Sequence, residues 1–177
     1  MRQGTSDAGP GSGEAAFVRS MKIVWLVMTL SVLAYGFALY WITAGQTEPI
    51  SSAWAARLRI PFAGIATALG MIAYWMRRYA FEPSAIQAEL DARRSLTEAL
   101  SAQQPNFLLL LGSHETIVLL GFVLGVLEGG LGLFAPYAAA ATALNLLAYP
   151  RFDPLFAELR ARNPQLTSDV GSTESPG

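Results

Sequence analysis

A histidine and a glutamate stand next to each other inside a long apolar stretch of this sequence. His114 and Glu115 interrupt the run 107–127, whose other residues are mostly leucine, valine, phenylalanine and glycine. A charged side chain at bilayer depth costs at least about 2.5 to 3.5 kcal/mol, so it persists where it is neutralised, hydrogen-bonded or used to move an ion. Glu115 is therefore the leading candidate for a functional side chain, with His114 beside it.

The sequence leaves two interpretations of Glu115 open. In the first, Glu115 is a protonated, hydrogen-bonded packing residue, because the neutral acid is much cheaper to bury than the carboxylate. In the second, Glu115 exchanges a proton or cation and His114 tunes it, since intramembrane acids recur in proton relays and transporters. At about 1.5 Å of rise per residue, each other apolar stretch places one polar side chain near the same depth. These side chains complete a predicted polar layer: Thr29, Thr67 and Asn145.

The composition places the chain in a membrane. Hydrophobic residues make up 53% of its 177 residues, and the mean hydropathy is +0.37, both above an ordinary soluble domain. A helix needs about 20 apolar residues to cross a hydrocarbon layer of about 30 Å. Four stretches come near that length, namely 21–43, 60–79, 107–127 and 131–149. The sequence predicts an all-α polytopic membrane protein with four transmembrane helices in two antiparallel hairpins.

The basic residues predict the orientation of these spans. In a chain with four spans, ten of the twelve lysine and arginine residues fall on one side, and only Arg57 and Arg59 fall on the other. Because basic loops stay in the cytoplasm, both termini and the middle loop are predicted to be cytoplasmic, in the inner membrane of a bacterial cell.

Outside the spans, the sequence predicts short helices and two tails. Residues 1–16 and 164–177 are polar and rich in glycine or serine, which predicts disordered cytoplasmic tails on either side of a single domain, 17–163. Apolar residues at helical spacing predict cytoplasmic amphipathic helices over about 84–101 and 154–162. Each helix either covers loops in solvent or docks a partner.

The sequence also predicts where one of these short helices ends and how the other is oriented. Pro105, preceded by two glutamines, predicts a helix break before the third span. On the last helix, the apolar side chains are expected to lie toward the membrane and the charged ones toward water. The apolar set is Phe152, Leu155, Phe156 and Leu159.

Small residues predict where helices approach one another closely. Gly121, Gly125 and Gly129 repeat every four positions on the third span, and Gly64 with Ala68 does the same on the second. Such spacing lets two membrane helices pack with little separation. The contact is either within the chain or between copies in a homo-oligomer.

The third span carries two resemblances. The stretch from Glu115 through Gly121 to Gly125, together with the arrangement of spans and the arginine-bearing loop, resembles uncharacterised bacterial four-helix integral membrane proteins. That resemblance implies the four-span fold and no established activity. The spacing of Glu115 and Gly121 is also similar to the carboxylate helix of proteolipid ring subunits of rotary ATPases. It implies only local chemistry, because those subunits join their hairpin by a polar cytoplasmic loop, whereas this chain uses residues 128–130 on the outer side.

Several classes of function are disfavoured by the residues. The chain has no cysteine and a single histidine, and it lacks a Gly-x-Ser-x-Gly element and a nucleotide-binding loop. Acids offset the cytoplasmic arginines, so no nucleic-acid surface stands out. We therefore expect no enzyme activity, cofactor, metal or nucleic acid, and expect the lipid bilayer and a homo-oligomer or membrane complex as partners. The favoured role is a non-enzymatic accessory or assembly component, and the rival is a small oligomeric proton-coupled transporter or channel that titrates Glu115.

Overall fold

All described secondary structure is helical, as the sequence predicts. The structure is a computed structural model, and it describes residues 12–46, 48–80, 82–93 and 96–164. Six α-helices and no strand occur in these segments. The helices are α1 (Ser12–Thr43), α2 (Ser52–Ala80), α3 (Pro83–Arg93), α4 (Leu96–Glu128), α5 (Phe134–Leu147) and α6 (Phe152–Arg162). Most of the two predicted disordered tails lies outside the described residues.

Three of the described helices are long and apolar enough to cross a membrane. Their candidate spans are Gly13–Thr43 in α1, Ser52–Arg78 in α2 and Glu98–Glu128 in α4. The helices α1, α2 and α4 contain the first three predicted spans. The fourth predicted span, 131–149, forms the 14-residue helix α5. At about 1.5 Å per residue this helix is about 21 Å long, which is less than a hydrocarbon layer of about 30 Å.

The connection between α4 and α5 begins with a glycine turn. Gly129 follows α4 with φ at 80°, a left-handed conformation that glycine adopts without strain. The N–H groups of Gly129 and Gly130 both donate to the carbonyl oxygen of Gly125, at 2.9 and 3.0 Å. A Cβ at position 129 would lie 3.3 Å from Cα of Pro49, so the turn also packs closely against the loop after α1. Residues 131–133, which the sequence assigned to the fourth span, continue the connection, and α5 begins only at Phe134.

The predicted helix break at Pro105 is wrong, because α4 continues through this residue. Proline removes one backbone hydrogen bond from a helix, yet packing outweighs that loss here. Buried side chains recur at helical spacing on both sides of Pro105 and face one continuous core. They are Leu96, Ala99, Leu100, Phe107, Leu110 and Leu111. The predicted amphipathic helix over 84–101 therefore corresponds to α3 and the first turns of α4.

α4 is the central helix of the bundle. Half of its apolar segment is buried within the protein, whereas α1 and α2 leave most of theirs exposed. α1, α2 and α5 all pack against it. The exposed surfaces of α1 and α2 are apolar, as expected where helices contact lipid. Leu33, Trp41 and Ile60 are 70%, 73% and 81% exposed.

The core that faces α4 on both sides of Pro105 lies where α3 and α6 cover one end of the bundle. We call this region the cap: α3, α6 and the adjoining first turns of α1 and α4. The apolar side chains of α6, expected to lie toward the membrane, are instead buried against protein, with Phe152 at 4% and Leu159 at 0% exposure. The rings of Phe17 and Phe152 meet edge-on at 5.7 Å between centroids. Because the apolar face of α6 is buried inside the chain, α6 needs no membrane surface to cover that face.

Polar contacts also hold the cap together. Arg160 on α6 pairs with Glu14 on α1 at 2.6 Å between Nη2 and Oε2. Gln87 on α3 and Asn163 after α6 exchange amide hydrogen bonds of 3.2 and 2.7 Å. Because these partners are distant in sequence, the contacts fix α6 to the start of α1 and fix α3 to the end of α6.

Candidate functional site

His114 lies in the centre of the bundle and contacts α5. Both His114 and Asn145 are 1% exposed, and Nδ1 of the histidine lies 2.7 Å from Oδ1 of the asparagine. With a proton on Nδ1, the histidine donates to the amide oxygen. The indole N–H of Trp25 on α1 donates to the backbone oxygen of Asn145 at 2.7 Å. One buried polar contact thereby joins α4, α5 and α1.

Glu115 faces α1, whereas His114 faces Asn145 on α5. Oγ of Ser31 lies 2.7 Å from Oε2 of Glu115, and Tyr35 lies near the same carboxyl group. Ser31 and Tyr35 are four residues apart, so they share one face of α1. Glu115 is partly exposed, whereas His114 is buried.

Ser31 contacts two acceptors at once. Its Oγ lies 2.7 Å from Oε2 of Glu115 and also 2.7 Å from the carbonyl oxygen of Met28. Because a hydroxyl group has a single proton, Ser31 shares that proton between its own helix and the carboxyl group on α4. The contact therefore links α1 to α4 at Glu115.

The two threonines of the predicted polar layer bond to their own helices. Oγ1 of Thr29 donates to the carbonyl oxygen of Trp25, and Oγ1 of Thr67 donates to that of Ala63, both at 2.8 Å. Thr67 is exposed on α2 and takes no part in the central contacts. The structure therefore divides the predicted layer into a histidine–asparagine pair and a separate cluster around Glu115.

Depth along the helices does not identify Ser31, Tyr35 or Trp25 as polar partners. Depth along a helix follows from sequence position, but the direction of a side chain depends on helix rotation. Ser31 lies only about 3 Å in rise from Thr29 but about 200° around the helix. The four-residue spacing of Ser31 and Tyr35 was the available signal for a shared face.

The predicted packing glycines differ in their surroundings. A Cβ at Gly121 would lie 2.5 Å from Cβ of Tyr137 on α5, and one at Gly125 would lie 2.5 Å from Cδ2 of Leu39 on α1. These positions need glycine for close approach within the chain. A Cβ at Gly64 would meet nothing within 4 Å, and Ala68 is exposed. Gly64 and Ala68 therefore lie on an open face of α2.

An ion pair lies next to the turn between α4 and α5, at the end of the bundle opposite the cap. Arg59 lies 3.6 Å from Glu128, with both side chains well exposed. An exposed pair of this kind contributes little to stability. Among the described residues, no group of three histidine, aspartate or glutamate side chains is arranged to hold a metal ion.

Comparison of the chain with protein-family models, with curated protein sequences and with solved structures gives no match.

Proposed function

We propose that this protein is a non-enzymatic accessory or assembly component of a bacterial inner-membrane complex. The observation that carries the proposal is the buried contact between His114 and Asn145, at 2.7 Å with both residues 1% exposed. The intramembrane histidine is satisfied within the chain and has no open face for a substrate. A sealed polar contact of this kind fixes helix arrangement, which is what a scaffold requires.

The proposed topology has four spans, with α1 and α2 as one antiparallel hairpin and α4 and α5 as the other. The short helix α5 crosses together with the glycine turn before it. Support comes from the charges: Arg77 and Arg78 end α2 beside the cap, whereas Arg59 lies at the other end of the bundle. The positive-inside rule then places the cap and both termini in the cytoplasm. Membership of the uncharacterised four-helix proteins that the sequence resembles is part of the same proposal.

One observation favours the rival function of an oligomeric proton-coupled transporter or channel. Glu115 is partly exposed at the edge of the bundle, beside Ser31 and Tyr35. In a bilayer, such a carboxyl group borders either lipid or a second copy of the chain. A second copy could complete a proton path that one copy lacks.

Proton flux into lipid vesicles separates the two functions. We expect vesicles containing the wild type or Glu115→Gln to take up protons no faster than protein-free vesicles, because the amide keeps the hydrogen bonding of a neutral acid. Thr116→Val is the matched control, since Thr116 is exposed and its hydroxyl bonds to its own helix. Wild-type flux that disappears in Glu115→Gln and persists in the control would establish the transporter.

Photo-crosslinking in the native membrane tests the accessory role directly. A photoreactive residue at Leu33 on α1 or at Met71 on α2 lies on the exposed apolar surface. We expect at least one position to give a discrete adduct with a different membrane protein. Adducts with lipid alone would contradict the accessory role, and adducts with a second copy of the chain would favour the oligomeric rival. A residue at buried Leu111 serves as the control that crosslinks only within the chain.

A further inference from the structure

A cavity of about 420 Å³ opens between the end of α2, the middle of α4 and the connection from α5 to α6. Its wall combines three arginines with aromatic and aliphatic side chains. The arginines are Arg77 and Arg78 in the last turn of α2 and Arg151 before α6. The other lining residues are Tyr74, Phe107, Leu110, Ala148, Tyr149, Pro150, Phe152 and Leu155.

The positive charge of this cavity is not neutralised by its own wall. Among the described residues, no acidic side chain lines the cavity, and none of the three arginines forms an ion pair. The acid nearest to Arg151 in sequence, Asp153, lines a different cavity together with Arg19 and Lys22. Three like charges around one concavity attract an anion, because low-dielectric walls strengthen their combined field.

Other arginines of the chain form ion pairs. Arg59, Arg160 and Arg162 each pair with a glutamate, at 3.6, 2.6 and 2.5 Å. The cavity arginines are therefore distinguished from those by having no paired acid among the described residues. A guanidinium group offers a planar fork of N–H donors that matches the oxygens of a phosphate.

The position and size of the cavity match a phosphate that belongs to a larger molecule. The arginines lie where the apolar helix α2 ends, which is the level of lipid headgroups, and Tyr74 and Tyr149 are amphipathic rings suited to that level. Phe107 and Leu110 provide an apolar floor beneath them. The volume lies in the range of pockets for small organic ligands, of about 300 to 1,000 Å³.

We propose that Arg77, Arg78 and Arg151 bind the phosphate of an anionic ligand in this cavity. Two sources share that chemistry: the headgroup of an anionic phospholipid and a free phosphate compound from the cytoplasm. Basic pockets between membrane helices on the cytoplasmic side bind anionic headgroups elsewhere. This site is separate from Glu115 and does not depend on the accessory role.

The test measures ligand-dependent stabilisation of the purified full-length chain. The protein in neutral detergent is titrated with phosphatidylglycerol, with phosphatidylcholine or with inorganic phosphate, and its thermal unfolding midpoint is recorded. We expect phosphatidylglycerol to raise the midpoint and phosphatidylcholine to leave it unchanged. An effect of inorganic phosphate equal to that of the lipid would assign the site to free phosphates. No effect of either anion on the wild type would overturn the proposal.

Matched variants test whether the ligand-dependent stabilisation arises at this cavity. The triple variant Arg77→Gln, Arg78→Gln, Arg151→Gln is expected to bind at least about tenfold more weakly, since it loses charge-assisted hydrogen bonds to the phosphate. The triple variant Arg57→Gln, Arg59→Gln, Arg162→Gln removes the same charge elsewhere and should keep wild-type binding. An equal loss of affinity in both variants would mean that net charge alone accounts for the binding, and it would overturn the proposed site.

A charge-conserving variant covers the case in which the glutamine variant does not fold. Arg77→Lys, Arg78→Lys, Arg151→Lys keeps three positive charges but loses the planar fork. We expect its affinity to fall between those of the wild type and the glutamine variant. Wild-type affinity in the lysine variant would contradict phosphate recognition by the guanidinium groups.

Discussion

Two neighbouring faces of α4 use their polar residues in opposite ways. The face toward α5 carries His114, which is 1% exposed and held by Asn145. The face toward α1 carries Glu115, which stays partly exposed and contacts Ser31. Adjacent residues on a helix point about 100° apart, so a histidine–glutamate pair in sequence is not a pair in space. The comparison separates a sealed structural contact from a carboxyl group at the border of the bundle.

The same division recurs two turns along α4. Gly121 brings α4 so close to α5 that a Cβ would lie 2.5 Å from Tyr137. Phe122 instead packs against Tyr35 on α1, with 5.6 Å between ring centroids. At this level of α4, the contact with α5 is therefore made close by a missing side chain, and the contact with α1 is filled by large rings. Three sets of variants test whether this difference has energetic consequences.

The largest effect is expected on the α5 side, from His114→Leu. This change leaves the buried amide oxygen of Asn145 without its donor, and the free energy of unfolding should fall by about 2 to 3 kcal/mol. Denaturant unfolding in lipid-matched micelles measures it. The double variant His114→Leu, Asn145→Leu should recover most of the loss, because neither polar group then remains unpaired. Additive losses in the double variant would mean that the two residues do not act as a pair.

A smaller effect is expected from Gly121→Ala, which forces α5 away from α4. We expect a loss of about 1 to 2 kcal/mol, since the neighbouring atom is the rigid Cβ of Tyr137. Gly64→Ala is the matched control on α2, where a Cβ meets nothing within 4 Å. The control should be neutral or stabilising by about 0.5 to 1 kcal/mol, because alanine favours the helix. Equal losses in the two variants would contradict the close approach at Gly121.

The smallest effect is expected on the α1 side, from Ser31→Ala. Hydrogen bonds between membrane helices contribute about 0.6 kcal/mol on average, and Glu115 can turn toward Tyr35 when Ser31 is lost. The expected loss of stability is therefore about 0.5 to 1 kcal/mol, measured under the same unfolding conditions. Thr29→Val, whose hydroxyl bonds only within α1, provides the baseline for losing a hydroxyl group. A loss as large as that of His114→Leu would remove the distinction between the two faces.

Part of this arrangement could be predicted and part could not. The depth estimate put Asn145 in one polar layer with His114, and these two side chains meet in the structure. It also included Thr67, whose side chain lies on an exposed face of α2. It also missed Ser31, whose selection required the rotation of α1 about its axis. Local turn chemistry misled the prediction at Pro105, where a continuous buried stripe keeps α4 helical.

The sequence by itself determined that the described chain is helical and located the three long apolar runs that form helices of membrane length, because run length and charge are properties of the chain alone. The fourth predicted run contains only the short helix α5. Only the tertiary structure decided that His114 faces α5 and that Glu115 faces α1. Only it placed the apolar face of α6 on the cap and gathered three arginines around one cavity. A helix that is apolar on all sides carries no stripe to indicate its rotation, so close packing with its neighbours decides which side chains meet.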